Sequence, residues 1–183
     1  INFPFNPNKI GSVGRAIEGC QVRRTEQGEL MVKSPGLMKG YYLQEEATAA
    51  AFDEDGFFYT GDLCEIDSDG YIDITGRVKD NFKTSKGKYV APVPIERKLA
   101  QDSHVELICV IGSGLPHPVA LVQLSEGANR QPREEVRTSL KATLDSINPN
   151  LESHEHVDAI VVVTEPWTIE NDALTPTLKI KRH

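Results

Sequence analysis

Residues 55–80 read DGFFYTGDLCEIDSDGYIDITGRVKD. Short runs rich in aromatic and β-branched side chains predict three antiparallel strands, at Phe57–Tyr59, Leu63–Asp67 and Tyr71–Thr75. The turn-forming residues Ser68–Gly70 join the last two of them. This stretch therefore predicts the centre of a small antiparallel β unit.

The sequence before this stretch extends the same unit. Gly19–Arg24 and Glu29–Lys33 flank Thr25–Gly28, a pattern typical of a hairpin with glycine closing the loop. Gln44–Phe52 is rich in alanine and carries acids at its start, which predicts a short helix. Residues 1–76 are expected to form one β unit.

Beyond Gly76 the composition changes, and a basic loop is followed by strands and helices without a regular βαβ order. This mixture indicates an α+β unit. The expected elements are, in chain order, a helix at Pro92–Gln101, strands at Val105–Gly112 and Val119–Leu124, a helix at Pro132–Ile147 and a strand at Val157–Thr164. Residues 165–183 have no periodic pattern and are predicted to be loop.

The composition excludes several classes of protein. The chain has 183 residues, 39% of them hydrophobic, which is too apolar for a disordered segment. Its longest apolar run, around Leu107–Ile111, is far shorter than the roughly 18–20 residues of a membrane span. Its cysteines, Cys20, Cys64 and Cys109, lie far apart without a CxxC pair, which argues against a disulfide scaffold or zinc site and fits a reducing compartment. The first residue is Ile1, with no signal-peptide pattern, so we expect a piece of a longer protein.

Charge is unevenly distributed within a formal total of −7. Residues 77–100 contain seven basic and two acidic side chains, and three more basic residues lie at Lys179, Lys181 and Arg182. A general nucleic-acid binder would show a broad basic face, so that partner is not expected. The basic residues between Arg77 and Lys88 fit a binding site for a small anion, and they fit a solvated surface loop equally well.

The short motifs present in the sequence, and those absent from it, limit the kinds of catalytic or binding site to consider. The sequence contains no P-loop, no GxGxxG, no HExxH and no GxSxG, and its five histidines do not suggest a metal site. Tyr59–Asp62 reads YTGD, in which a tight turn can present a carboxylate to two vicinal hydroxyls, although it is also a common surface turn. Lys179 and Lys181 are expected in a flexible tail, where they either reach an anion or remain solvated.

Six motifs occur in an order that carries more information than any one of them. They are GSVGR (11–15), GELMVKSPGLMKGYY (28–42), DGFFYTGDL (55–63), DGYIDITGRVKD (69–80), KTSKGKYVAPVPIE (83–96) and LTPTLKIKR (174–182). Over essentially its whole length, the chain resembles the adenylate-forming superfamily and, within it, the long-chain fatty-acyl-CoA synthetases.

The resemblance implies both a reaction and a domain organisation. The reaction joins a fatty acid to ATP, releases pyrophosphate, and passes the acyl group from acyl-AMP to CoA. Residues 1–76 would be the distorted antiparallel β-barrel that ends a large N-terminal domain. Residues 77–80 would be a hinge, and residues 81–183 a small α+β C-terminal domain that rotates between the two half-reactions.

The resemblance also assigns roles to single residues. Asp62 matches the acid that holds the ribose hydroxyls of ATP or acyl-AMP, and Arg77 matches an arginine that contacts the ribose and the nucleotide. Lys79 occupies the hinge position. Lys179 matches the tail lysine that reaches the α-phosphate and the carboxylate, where a mobile ammonium can stabilise developing charge. Leucine instead of the usual glycine precedes it, so the wider pattern alone leaves Lys179 and Lys181 as alternatives.

A second set of residues matches the face presented during thioester formation. This set comprises Lys83, Lys86, Gly87 and Lys88. The family pattern often has two glycines after the serine in this loop, but here Lys86 replaces the first of them. The resemblance therefore does not define the pantetheine contacts.

ATP and Mg²⁺ are the implied cofactors, and CoA is the implied co-substrate. The phosphate loop, the adenine site and the acyl tunnel are expected upstream of Ile1, with no metal site in this chain, so the chain alone is expected to be inactive in ATP–pyrophosphate exchange. The scattered cysteines and the lack of a signal-peptide pattern lead us to expect a cytoplasmic location. A fatty-acid substrate is compatible with peripheral contact at the inner membrane face. Oligomeric state and chain-length preference stay open.

Two other functions remain open on the sequence. A fatty-acyl-AMP ligase would transfer the acyl group to a carrier protein instead of CoA. A non-catalytic binding module would keep the fold without the reaction.

Overall fold

The computed structural model describes residues 8–182, and the chain divides into two compact units with the boundary between Lys79 and Asp80. The first unit contains one antiparallel sheet, and the second contains two small sheets together with helices. The mixed α+β class that the sequence predicts is therefore confirmed.

Four strands form the sheet of the first unit, and each strand pairs antiparallel with its neighbours. In spatial as well as chain order they are β1 (Gln21–Arg24), β2 (Glu29–Lys33), β3 (Phe58–Ile66) and β4 (Ile72–Arg77). Helix α1 (Glu45–Ala51) lies between β2 and β3 in the sequence. The predicted hairpin around residues 25–28 and the predicted helix at 44–52 are both confirmed.

One face of this sheet supplies a small core. Leu30, Cys64 and Ile72 are buried there, one from each of the last three strands. The flanking side chains Val22, Val32, Ile66 and Ile74 are partly buried around them. The alternation of apolar and polar residues along the strands places this core on a single side.

The two strands predicted at 57–59 and 63–67 are one strand, so that prediction is wrong. The prediction places a break between two strands at Gly61, which has a positive φ of 74°. The chain instead continues as β3, and its pairing with β2 shifts register between Glu29 and Met31, opposite residues 59–63, which is typical of a β-bulge.

The distorted barrel implied by the resemblance is not observed in residues 8–79. β1 and β4 form opposite edges of an open sheet, because four strands are too few to close on themselves, which takes about eight in small barrels. A single bridge between Gly14 and Ile72 extends the β4 edge.

The second unit contains the remaining elements. They are β5 (Phe82–Lys83), β6 (Tyr89–Val90), α2 (Pro92–Leu99), β7 (Val105–Ile111), β8 (Val119–Leu124), α3 (Glu126–Asn129), α4 (Arg133–Ile147) and β9 (Ala159–Val162). β5 and β6 form a two-stranded ribbon. β7, β8 and β9 form a sheet in that order, with β7 antiparallel and β9 parallel to β8.

Helix α2 packs its apolar face on the three-stranded sheet. Ile95 and Leu99 are buried with Val110 of β7 and Val122 of β8 in one cluster. Pro92 begins the helix at a position where a missing N–H costs no intrahelical hydrogen bond. This core fixes α2, which also carries Glu96, against β7.

Most predicted elements of this unit are confirmed, with three differences. The ribbon of β5 and β6 and the four-residue helix α3 are not predicted, because segments of two to four residues show no periodicity. β9 is shorter than the predicted strand at 157–164. Residues 163–182 contain no helix or strand of the sheets, as predicted, but one bridge pairs Leu174 with Ile180.

Candidate functional site

The pairing of β3 with β4 brings Asp62 and Arg77 together. They are register partners, and Nε of Arg77 lies 3.0 Å from Oδ1 of Asp62. The Asp62 side chain is 28% exposed and that of Arg77 is 60% exposed. Within residues 8–79, Oδ2 of Asp62 makes no hydrogen bond, so the carboxylate keeps acceptor capacity for a ligand hydroxyl.

The backbone before Asp62 is held by two polar side chains. Thr60 Oγ1 donates to the carbonyl of Leu30 at 2.7 Å and accepts from the Asp62 N–H at 3.1 Å. Glu29 Oε1 accepts from the Gly61 N–H at 2.9 Å. These bonds fix the bulged segment that aims the Asp62 carboxylate. Glu29 was not predicted, although it lies in the quoted motif at 28–42.

Lys79 lies in a single 3₁₀ turn, Val78–Asp80, directly after β4. Its side chain is exposed, and it makes no ion pair within residues 8–79. The turn coincides with the boundary between the two compact units. The hinge role of Lys79 stays a prediction.

The loop between β5 and β6 is closed by local hydrogen bonds. The Thr84 N–H donates to the Lys88 carbonyl at 2.9 Å, and the Gly87 N–H donates to the Thr84 carbonyl at 2.9 Å. Gly87 has a positive φ of 78°, which an L side chain rarely adopts, so glycine suits this corner. The turn exposes the side chains on either side of it.

Three cations project from this ribbon. Lys86 Nζ lies 2.9 Å from Nε2 of His117, and Lys83 Nζ lies 5.6 Å from the ring centroid of Tyr89. Lys88 is exposed. The structure thus places the predicted thioester-step lysines on one loop, and their contact with CoA stays a prediction.

The tail residue Lys179 lies in a turn that local hydrogen bonds close, and the flexibility of the tail stays a prediction. The Thr175 N–H donates to the Lys179 carbonyl at 2.8 Å, and the Lys179 N–H donates to Thr175 Oγ1 at 3.0 Å. Leu178 has a positive φ of 59° at the tip. Leu174 and Ile180 pair at the base of this turn. The Lys179 side chain is exposed near the tip of this turn.

The three tail cations differ in their partners. Lys181 pairs with Asp172, and Arg182 forms a two-pronged pair with Glu96 on α2. Within residues 80–182 the Lys179 ammonium makes no hydrogen bond or ion pair. Of the two alternatives left by the sequence, Lys179 is the one without an ion-pair partner in this range, and its role stays a prediction.

A buried polar network outside these residues joins α4 to the turn before β7. Asp102 accepts hydrogen bonds from the ring of His104 at 2.7 Å, from Thr143 at 2.8 Å and from Ser139 at 3.1 Å. Burial opposes ionisation of Asp102, but these bonds outweigh it and lower its pKa. The same contact with Asp102, aided by Gln131, raises the pKa of His104. No sequence motif predicted this network.

Neither a metal centre nor a membrane helix can be assigned in residues 8–182. No three His, Cys, Asp or Glu side chains of this range cluster as metal ligands. None of its helices has the length and apolar character needed to cross a bilayer.

Comparison with known proteins identifies the family. The family model described as "AMP-binding enzyme C-terminal domain" matches residues 79–179, more than half of the chain. The chain belongs to the AMP-binding, or adenylate-forming, enzyme family. The matched range includes Lys79, the lysines of the β5–β6 ribbon and Lys179, whereas Asp62 and Arg77 lie before it.

Curated relatives carry fatty-acid ligase names. The chain is 31% identical over 195 residues to the long-chain-fatty-acid–CoA ligase FadD15 of Mycobacterium tuberculosis, covering 97% of this chain and 32% of the relative. It is 32% identical to fatty acyl-CoA synthetase B of Dictyostelium discoideum, covering all of this chain and 30% of the relative. The chain thus spans about a third of the length of these relatives.

Solved structures of AMP-binding enzymes share the fold. The A-PCP didomain of the carboxylic acid reductase from Segniliparus rugosus, in complex with AMP, has a TM-score of 0.72 and 29% identity, covering 89% of this chain and 25% of that one. Apo MatB from Rhodopseudomonas palustris has a TM-score of 0.67 and 28% identity, covering 99% of this chain and 36% of that one.

Proposed function

We propose that this chain is the C-terminal part of an ATP-dependent long-chain fatty acid–CoA ligase. The observation that carries the proposal is the similarity to a long-chain-fatty-acid–CoA ligase, which extends over 97% of the chain. Asp62 and Arg77 form a partly exposed pair, and the Lys179 ammonium is unpaired within residues 80–182.

In the first half-reaction a carboxylate oxygen of the fatty acid attacks the α-phosphorus of ATP. The bond from that phosphorus to the bridging oxygen breaks, and pyrophosphate leaves. Asp62 would accept hydrogen bonds from the ribose hydroxyls, with Arg77 beside them. The Lys179 ammonium would stabilise the negative charge that develops at the α-phosphate.

In the second half-reaction the thiolate sulfur of CoA, its proton lost to solvent, attacks the acyl carbonyl. The bond from the acyl carbon to the phosphate oxygen breaks, and AMP leaves. Lys83, Lys86 and Lys88 would present positive charge near the path of CoA, with Lys79 as the hinge between the two states. Mg²⁺ would accompany ATP. Because no cluster of three metal-ligating side chains occurs in residues 8–182, no step is assigned to a metal held by this chain.

Two assays test this function. Fatty-acid-dependent ATP–pyrophosphate exchange by the full-length protein measures adenylation, and CoA-dependent consumption of supplied acyl-AMP measures thioester formation. We expect both activities in the full-length protein and no exchange by the 183-residue chain alone. A full-length protein that lacks both activities would leave the non-catalytic module as the function, and that result would contradict the proposal.

A second candidate is a ligase that passes the acyl group to a carrier protein. It is favoured by the similarity to a carboxylic acid reductase structure described as an A-PCP didomain. Acyl transfer to a phosphopantetheinylated carrier, without turnover on free CoA, would select this alternative. For either acceptor we propose a cytoplasmic location.

A further inference from the structure

Arg182 is the most strongly anchored side chain of the tail. Its Nη1 and Nη2 atoms donate to Oε1 and Oε2 of Glu96 at 2.8 and 2.6 Å. Its Nε lies 3.3 Å from Oδ2 of Asp80, the first residue of the second unit. Arg182 therefore joins the end of the tail both to helix α2 and to the residue that follows the boundary.

The partner of Arg182 is itself fixed. Glu96 Oε1 also accepts from the backbone N–H of Val110 in β7 at 2.7 Å. The Arg182 side chain is 16% exposed and that of Glu96 is 12% exposed. Bidentate geometry of this kind adds directional restraint to the charge attraction, which a lysine ammonium would not provide. The pair thus fixes a direction as well as a distance.

The turn that carries Lys179 lies between two fixed points. On one side Leu174 is buried and pairs with Ile180. On the other side Arg182, three residues after Lys179, is fastened to Glu96. Because the turn is closed by its own hydrogen bonds, these two fixed points determine where the backbone of Lys179 lies relative to α2.

We propose that Arg182 is a positioning residue for adenylation, which holds the Lys179 turn on α2 and so sets the reach of the Lys179 ammonium. This rests on the proposed function, because it requires Lys179 to act on the α-phosphate. In this role Arg182 acts through the Lys179 turn and not by contact with a substrate. A misplacement of about 1 Å at a reaction centre can cost up to about 100-fold in rate.

The test uses the full-length protein with Arg182→Leu, alone and combined with Glu96→Gln. Arg182→Leu leaves a nearly buried carboxylate without its counter-charge, which lowers the melting temperature whatever the role of Arg182. Glu96→Gln removes that charge and keeps an oxygen for the Val110 N–H. We expect the double variant to regain thermal stability while its kcat for ATP–pyrophosphate exchange stays about 10- to 100-fold low.

Further readouts separate positioning from folding. The KM for ATP and thioester formation from supplied acyl-AMP should be unchanged in the double variant. Arg182→Lys should recover only part of the exchange rate, because it keeps the charge without the bidentate geometry. The matched control is Arg130→Leu, which removes an exposed arginine paired with Glu126 and should leave both half-reactions unchanged.

Two results would overturn the proposal. A double variant that is stable and has wild-type exchange would show that Arg182 only neutralises Glu96. Equal loss of both half-reactions would show a general structural role. Lys179→Ala, assayed in parallel, separates failure of the proposed role of Lys179 from failure of the positioning role of Arg182. Wild-type exchange in Lys179→Ala would refute the role of Lys179 itself, whatever the Arg182 variants do.

Discussion

Arg77 faces Asp62 across the β3–β4 ladder, with 3.0 Å between Nε and Oδ1. The pair is set by strand register, so it exists before any ligand arrives. Both side chains remain partly exposed, and exposed ion pairs contribute at most about 1 kcal/mol to stability. The pair is consequently better suited to orienting a carboxylate than to stabilising the fold.

Asp62→Ala should therefore weaken nucleotide binding without unfolding the protein. We expect a higher KM for ATP in pyrophosphate exchange by the full-length protein, because the ribose hydroxyls lose their acceptor, with a melting temperature close to that of the wild type. Asp69→Ala removes an acid from the exposed turn between β3 and β4 and serves as the control. An unchanged KM in Asp62→Ala would remove Asp62 from the nucleotide site.

Lys179→Ala should abolish adenylation and spare thioester formation. The reason is that the ammonium would be needed only while charge develops at the α-phosphate. Exchange and the reaction of supplied acyl-AMP with CoA are measured separately on the same preparation. Lys181→Ala, which loses only the pair with Asp172, should keep most of the exchange activity, and loss of exchange in that variant would reopen the choice between the two lysines.

The His104–Asp102 pair should make stability depend on pH. The pKa of His104 is raised above 6.5, chiefly by its hydrogen bond to Asp102. The stabilisation is complete below about pH 6.5, where the unfolded state is protonated too, and is lost as the pH rises through the pKa of the folded state. Asp102, with a pKa lowered below 3.8, contributes above that pH and loses its contribution in stronger acid.

His104→Gln should thus flatten the fall of unfolding free energy that occurs as the pH rises above about 6.5. The measurement is urea unfolding of the 183-residue chain at several pH values. His154→Gln, in a residue without a hydrogen-bond partner within residues 80–182, should retain the wild-type dependence. A dependence that survives in His104→Gln would assign it to another group.

Gly112→Ala should destabilise the second unit through a steric clash. A Cβ atom there would lie 2.5 Å from the ring of Phe82 and 3.1 Å from the Cα atom of Pro118. Overpacking of this kind costs about 1–3 kcal/mol in unfolding free energy. Urea unfolding measures it, with the exposed neighbour Ser113→Ala as the control, for which a change within about 0.5 kcal/mol is expected. Equal stability of the two variants would show that Phe82 moves aside freely.

Local patterns were sufficient to predict most of the fold. Helix α4 follows the spacing of Val136, Leu140 and Ile147, and the β1–β2 hairpin follows its turn residues. Gly61 misled the prediction because a glycine with positive φ can lie in a bulge as well as in a break between strands. The sequence alone does not distinguish these two cases.

The site was less predictable than the fold for a physical reason. Asp62 and Arg77 could be proposed from the sequence because they lie in motifs that follow one another in the family's order. The register of β3 and β4 then brings the two residues together. The pairing of Arg182 with Glu96 joins residues 86 positions apart, and no local period reports such a contact. Likewise, the turn around Lys179 depends on the Thr175 hydroxyl instead of an apolar pattern, so the tail looked unstructured.

The parallel position of β9 has a consequence for how the second unit folds. In the sheet of the first unit, every neighbouring pair joins strands that follow one another in the chain. In the second unit, residues 125–158, which include α3 and α4, separate β9 from its neighbour β8. Bringing the ends of that segment together costs conformational entropy before the contacts between β8 and β9 can stabilise the sheet. The amides of β9 should therefore gain protection late in refolding, after the β7–β8 hairpin.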